Sequence, residues 1–216
     1  MHNKKIGLLG GTFNPVHYGH LKAAQQVIER FHLHKILFVP SYDPPHKTKK
    51  HIISPAHRYH MVKLAVSDYP SFEPSRIEID AKEKSYSIVT LQKIKKSNPE
   101  SRIFFILGVD AFLEIETWKD YKDLLESCSF IVISRPGYDL KDAKEIIGGK
   151  FQTKMLEVSS DVGEQSLEQA EFFLLHMKSL DLASSDIRER SHKGKSIHGM
   201  VPKEVENYIK ENRLYS

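Results

Sequence analysis

Two histidines three positions apart, His17 and His20, follow a pair of glycines in the segment GGTFNPVHYGH, which runs from Gly10 to His20. Imidazoles donate hydrogen bonds to phosphate oxygens, and glycines let backbone approach a ligand closely at angles barred to other residues. A helix starting near His20 would aim unpaired N–H groups and a positive dipole end at such a ligand. Gly10, Gly11, Thr12, Phe13 and Gly19 then form a candidate phosphate loop. Two histidines at this spacing could also be half of a metal site, but no third ligand of suitable type lies nearby in sequence. They could equally be polar loop residues among the chain's 12 histidines.

Other phosphate signatures fit worse. The dinucleotide fingerprint G-x-G-x-x-G is absent, and the second apolar run ends in Pro40-Ser41 rather than in a ribose-binding acid. Gly194-Lys195-Ser196 mimics the end of a P-loop, but Glu189 stands where the first glycine is required. The densest basic run, Lys47-Thr48-Lys49-Lys50, lies beside Pro44-Pro45-His46. It reads either as a solvated loop or as a site for a small anion, because lysines in a cleft raise the local potential for phosphates.

The elements that must position these residues follow from periodicity. Ile6–Leu9, Ile36–Val39, Ile103–Leu107 and Phe130–Ile133 are short apolar runs of the kind that form buried parallel strands. Arg76–Ile79 alternates polar and apolar residues and predicts a more exposed strand, and Phe172–Met177 a late one. Leu21, Ala24, Ile28 and Phe31 share a helix face. Ser54-Pro55 predicts an N-cap and first helical position for a helix through Val66. A further helix is expected over Ile88–Lys95, closed by Asn98-Pro99, and a last one over Pro202–Asn212. Gly148-Gly149 ends a helical stretch, and 158–170 is polar and weakly patterned.

Strands alternating with helices predict an α/β, Rossmann-like, doubly wound and mostly parallel sheet with helices on both faces and a small C-terminal helical segment. Ligands of such sheets bind beyond the carboxyl ends of the strands, so the loops beginning at Gly10, Pro40, Gly108 and Ser134 should carry the site.

The segment around His17, Gly19 and His20 resembles the H-x-G-H signature of the nucleotidyltransferase superfamily. Further motifs narrow the resemblance to bacterial nicotinate-nucleotide adenylyltransferases: PPHK at Pro44–Lys47, SYS-xx-TL at Ser85–Leu91, and the stretch from Gly108 to Trp118. SRPG at Ser134–Gly137, SSDIRER at Ser184–Arg190 and the ending Val201–Tyr215 extend it over nearly the whole chain.

The resemblance implies AMP transfer from ATP to nicotinic acid mononucleotide, forming nicotinic acid adenine dinucleotide and pyrophosphate in NAD biosynthesis. His17, His20 and Arg188 would be catalytic, contacting the α phosphate, the outer phosphates, and the β and γ phosphates respectively. Gly10, Gly11, Thr12, Phe13, Gly19, Gly108, Asp110, Ser184 and Ser185 would bind ATP, with Asp110 toward the ribose and the two serines capping a helix. Lys47 would pair with the mononucleotide phosphate, Trp118 stack on the pyridine ring and Ser87 lie near its carboxylate. One nucleotidyltransferase domain would span 1–216, with 184–216 completing the ATP site. Magnesium would arrive with ATP, because no carboxylate cluster offers a protein cage.

The chain departs from the family pattern at several positions. Asn14 stands for the commoner aspartate, and Ser87 and Val89 for threonine and aspartate. Lys119 stands where tyrosine often follows the tryptophan, Ala183 replaces a serine and Ser185 a threonine. These touch the pyridine end of the site more than the phosphate end.

Composition is compatible with this reading. The 40% hydrophobic and 28% charged residues are ordinary for a globular chain. The net charge of +4 is spread between 32 basic and 28 acidic residues, which argues against a nucleic-acid partner. No apolar run is long enough for a membrane span or a secretory signal. The single cysteine, Cys128, cannot form an internal disulfide, reads as a small core residue and favours a cytoplasmic setting. The sequence leaves a homo-oligomer open.

Overall fold

In the computed structural model, residues 4–45, 52–147, 153–177 and 181–216 are described. Within them lies one seven-stranded sheet in which every adjacent pair is parallel. In chain order the strands are β1 (Lys4–Gly11), β2 (Lys35–Pro40), β3 (Phe72–Pro74), β4 (Ser101–Gly108), β5 (Ser129–Ile133), β6 (Met155–Val158) and β7 (Phe172–Leu175). In space the order is β3-β2-β1-β4-β5-β7-β6. The direction of travel reverses between β1 and β4, so a crevice opens at their carboxyl ends, beside Gly10-Gly11 and Gly108.

The helices are α1 (Tyr18–Arg30), α2 (Pro55–Val66), α3 (Ile77–Ala81), α4 (Ser87–Ser97), α5 (Val109–Phe112), α6 (Tyr121–Ser127), α7 (Leu140–Ile147), α8 (Glu164–Gln169), α9 (Ser184–His192) and α10 (Lys203–Glu211). A 3-10 turn covers Ile115–Thr117. Alternate strand residues feed two cores, one on each sheet face, as period-two side chains must. Leu9, Phe104, Ile106, Ile131 and Phe173 pack with α1, α2 and α10. Leu8, Phe105, Leu107, Phe130 and Leu174 pack with α4 and α6.

The four main strands and the doubly wound plan agree with the periodicity. α2 also starts as expected: Ser54 Oγ accepts the His57 N–H at 3.4 Å and Pro55 occupies the first turn. Phe31 is fully buried below α1, while Ile28 is half-buried.

Arg76–Ile79 is a correction, because Ile77–Ala81 is helical and Arg76 stands at its N-cap. Four alternating residues span little more than one helical turn, too few to separate the two periods. Arg76 pairs with Asp80 at 2.7 Å across an i,i+4 spacing that only a helix brings together. The strand that pairs with β2 on the side away from β1 is the preceding Phe72–Pro74, short enough to escape a pattern search. The weakly patterned stretch 158–170 contains α8, and β6 just before it closes the sheet edge. Gly148-Gly149 lie outside the described residues, directly after α7.

Cys128 is half-buried and burial pushes its thiol up to about 12, so it is a packing residue with no thiolate at neutral pH.

Candidate active site

β1 ends in Gly10-Gly11, and the chain then turns through Thr12 to His17 into α1. Phe13 makes this turn with φ at +47°, unusual for an aromatic residue, and its ring is buried. A Cβ at Gly11 would stand 3.1 Å from that ring, while one at Gly10 would meet nothing within 4 Å. A side chain at 11 would therefore crowd the Phe13 ring, while the space above 10 is open.

His17 is the N-cap of α1 and is only 3% exposed. Its ring lies on the α-carbon of Gly19: a Cβ there would fall 2.9 Å from both Cε1 and Nδ1. Nδ1 of His17 is buried with no hydrogen-bond partner. Burial, then the nearby Arg135 guanidinium, lower its pKa to about 4, so the ring is neutral at pH 7. His20 lies alongside with ring centroids 3.8 Å apart, and its edge meets Phe13 at 5.0 Å. The His17 N–H donates to His20 Nδ1 at 3.3 Å, which requires a neutral His20 to carry its proton on Nε2.

The C-terminal part closes over this loop. Ser184 Oγ donates to the Pro15 carbonyl at 2.9 Å and Arg188 Nη1 to the Asn14 carbonyl at 2.9 Å. Tyr215 Oη donates to Asn14 Oδ1 at 3.0 Å, and the Tyr18 N–H to the Met200 carbonyl at 3.0 Å. Ser184 is the first residue of α9 and Ala183 its N-cap, so the expected serine cap is corrected: alanine offers no capping oxygen. Ser185 is exposed and donates to Asp186 Oδ1 at 3.3 Å.

At the end of β4, Gly108 precedes Asp110, whose Oδ1 lies 3.3 Å from Arg135 Nε in the loop after β5. A Cβ at Gly108 would fall 2.2 Å from Asp110 Oδ1 and 2.7 Å from Arg135 Nε, so the pair depends on glycine. Arg135 joins Asp110 and acts on His17. Arg135 lies in the SRPG motif at a strand end, and that position was the only sequence signal for it.

The remaining expected residues form a second group. Trp118 is half-buried, edge-on to Phe105 at 6.2 Å, and follows the 3-10 turn. Ser87 is the first residue of α4, and Lys119 Nζ stands 4.9 Å over the ring of its neighbour Tyr86. That cation–π contact links the tryptophan segment to the Ser87 segment. Lys47 lies outside the described residues. Among the described residues no cluster of three or more His, Cys, Asp or Glu side chains could hold a metal ion.

Among the described residues no helix is long and apolar enough to cross a membrane.

A sheet that reverses at β1/β4, with a glycine-seated histidine pair at that reversal, defines a nucleotidyltransferase architecture, and a family model described as cytidylyltransferase-like matches residues 8–190. The probable nicotinate-nucleotide adenylyltransferase of Geotalea uraniireducens is 40% identical over 214 residues, covering 98% of each chain. That of Pelobacter propionicus is 40% identical over 215 residues, with the same coverage. The solved nicotinic acid mononucleotide adenylyltransferase of Plasmodium falciparum, complexed with NaAD, shares the fold at a TM-score of 0.73. It is 19% identical, with 99% of this chain and 98% of that chain covered. The chain belongs to the cytidylyltransferase-like family and, within it, to the nicotinate-nucleotide adenylyltransferases.

Proposed function

We propose that the protein transfers AMP from ATP to nicotinic acid mononucleotide, a step of NAD biosynthesis, in the cytoplasm. An oxygen of the mononucleotide phosphate attacks the α phosphorus of MgATP. The bond from that phosphorus to the β-phosphate bridging oxygen breaks, and pyrophosphate leaves. The nucleophile is already anionic, so catalysis needs no side-chain base; it needs alignment and stabilisation of charge on the phosphoryl oxygens.

The observation that carries this reading is the neutral, buried His17 seated on Gly19 where β1 meets α1. A rigid neutral imidazole donates without requiring a phosphate to displace its own hydration, which suits a transition state better than a solvated cation. His17 would serve the α phosphate and His20, protonated on Nε2, the outer phosphates. Arg188 spends one terminal nitrogen on Asn14, and its fork would turn the others to the β and γ phosphates. Gly10, Gly11, Thr12, Phe13 and Gly19 would shape the triphosphate loop, with Gly108 and Asp110 at the ribose and Ser184 and Ser185 beyond it. Lys47 would take the mononucleotide phosphate. Trp118 would stack on the pyridine ring, with Ser87 and the first turn of α4 facing its carboxylate. The chain would work as one domain in which 184–216 complete the ATP site, as the contacts of Ser184, Arg188 and Tyr215 support.

Pyrophosphate release from MgATP with nicotinic acid mononucleotide, nicotinamide mononucleotide or phosphopantetheine tests the reading. Fast release with the acid is expected. No release with any acceptor would sink the transferase, and greater efficiency with the amide would overturn the acceptor. Replacing magnesium with EDTA should abolish turnover.

A further inference from the structure

Arg58 on α2 is fully buried and is not among the candidate site residues described above. A buried cation is costly unless its donors are satisfied. Three backbone carbonyls accept one bond from each of its nitrogens: Nη1 donates to Thr12 at 2.8 Å, Nε to Ile53 at 3.1 Å and Nη2 to Tyr42 at 3.2 Å. Tyr215 and then Glu78 are the acidic groups whose charge acts on it. Burial pulls the Arg58 guanidinium down to about 10, still a cation at neutral pH.

The three acceptors have a pattern. Thr12 belongs to the loop between β1 and α1. Tyr42 follows β2, and Ile53 precedes α2, so together they are the two stems of the segment that carries Lys47. One planar fork therefore fastens both stems of that segment to the histidine loop. Independent contacts tie the same stems. Ser85 Oγ accepts the N–H of Tyr42 at 2.8 Å and of Asp43 at 3.3 Å, and Asn14 Oδ1 accepts the N–H of Ile53 at 3.4 Å.

We propose that Arg58 is a positioning residue that sets the register between the histidine loop, to which the reading above gives the triphosphate, and the two described stems, 41–45 and 52–54, of the segment that carries Lys47. The inference rests on the transferase reading above. Each loop can bind its own substrate without the other, but in-line attack needs both at a fixed separation. A misplacement of about 1 Å at a reacting atom costs on the order of a hundredfold in rate. A lysine cannot replace the guanidinium, because one ammonium cannot span three carbonyls that a planar fork reaches in three directions.

The test compares Arg58→Lys, Arg58→Met and Ser85→Ala with the wild type. The readouts are melting, calorimetric binding of each substrate alone, steady-state turnover, and amide exchange at Tyr42, Asp43 and Ile53. In folded Arg58→Lys, single-substrate affinities should stay within about threefold while kcat falls at least about tenfold, and the three amides should exchange faster. An unchanged kcat per folded molecule would overturn the proposal. So would matching losses in both single-substrate affinities, which mark a general defect. Should neither Arg58 variant fold, Ser85→Ala decides: it frees the Tyr42 stem from its other side, and an unchanged kcat there would also overturn the proposal. Absent turnover in the wild type would instead reject the transferase reading, and the exchange rates would still judge the loop register.

Discussion

The His17 ring rests on Gly19, with 2.9 Å between Nδ1 and the place where any other residue at 19 would carry its Cβ. The contact explains the small residue inside the H-x-G-H motif: the glycine is a seat for the imidazole. Alanine is otherwise the better helix former by about 1 kcal/mol. Gly19→Ala should therefore leave melting near the wild-type value while kcat/KM falls about tenfold or more as the ring is displaced. Unaltered kcat/KM in that variant would remove His17 from its assigned position.

His17→Ala should lower turnover by roughly a hundredfold or more, on the scale of losing one preorganised oxyanion donor. Single-turnover AMP transfer measures this directly, and a near-normal rate would contradict the assignment.

The same histidine couples folding to pH. Its folded pKa is about 4 against 6.5 unfolded, so between these values the unfolded chain binds a proton that the native state refuses. Stability present above pH 6.5 is lost as pH falls through 4, by up to about 3 kcal/mol. Urea unfolding at pH 7 and pH 4.5 should show a smaller pH difference for His17→Gln than for the wild type. Equal differences would mean that His17 is not buried neutral.

For Trp118→Ala, mononucleotide affinity should fall about tenfold, the worth of one stacked ring, with ATP affinity largely kept. The variant also loses an edge contact to Phe105, so melting should be measured alongside. Equal loss for both substrates would identify a packing defect.

Tyr215→Phe deletes the donor to Asn14 Oδ1 and nothing else of the ring. A loss of about 1 kcal/mol in stability is expected, with turnover reduced severalfold because Asn14 also accepts from Ile53. Wild-type turnover would show that the C-terminal tyrosine does not support the loop.

Much of the candidate site's backbone was legible because its signals are local. The glycine pair, the histidine spacing and the strand-to-helix change all lie within one short segment, and backbone geometry follows from such neighbours. The Ser54-Pro55 start of α2 is local in the same sense. Arg76–Ile79 failed for the opposite reason: four residues carry too little period, and the Arg76–Asp80 pair that favours the helix lies partly beyond the window.

The sequence by itself determined that a glycine-containing loop with two histidines opens α1 and that the main strands form a parallel sheet. Only the tertiary structure decided which basic residues face that loop. Arg58 reaches Thr12 across 46 positions, Arg188 reaches Asn14 across 174 and Tyr215 reaches it across 201. Arg135 acts on His17 from the end of a different strand. Pairings at such separation have no periodicity to read, because they are set by which strand ends the sheet order places side by side and by the need to give every buried charge a partner.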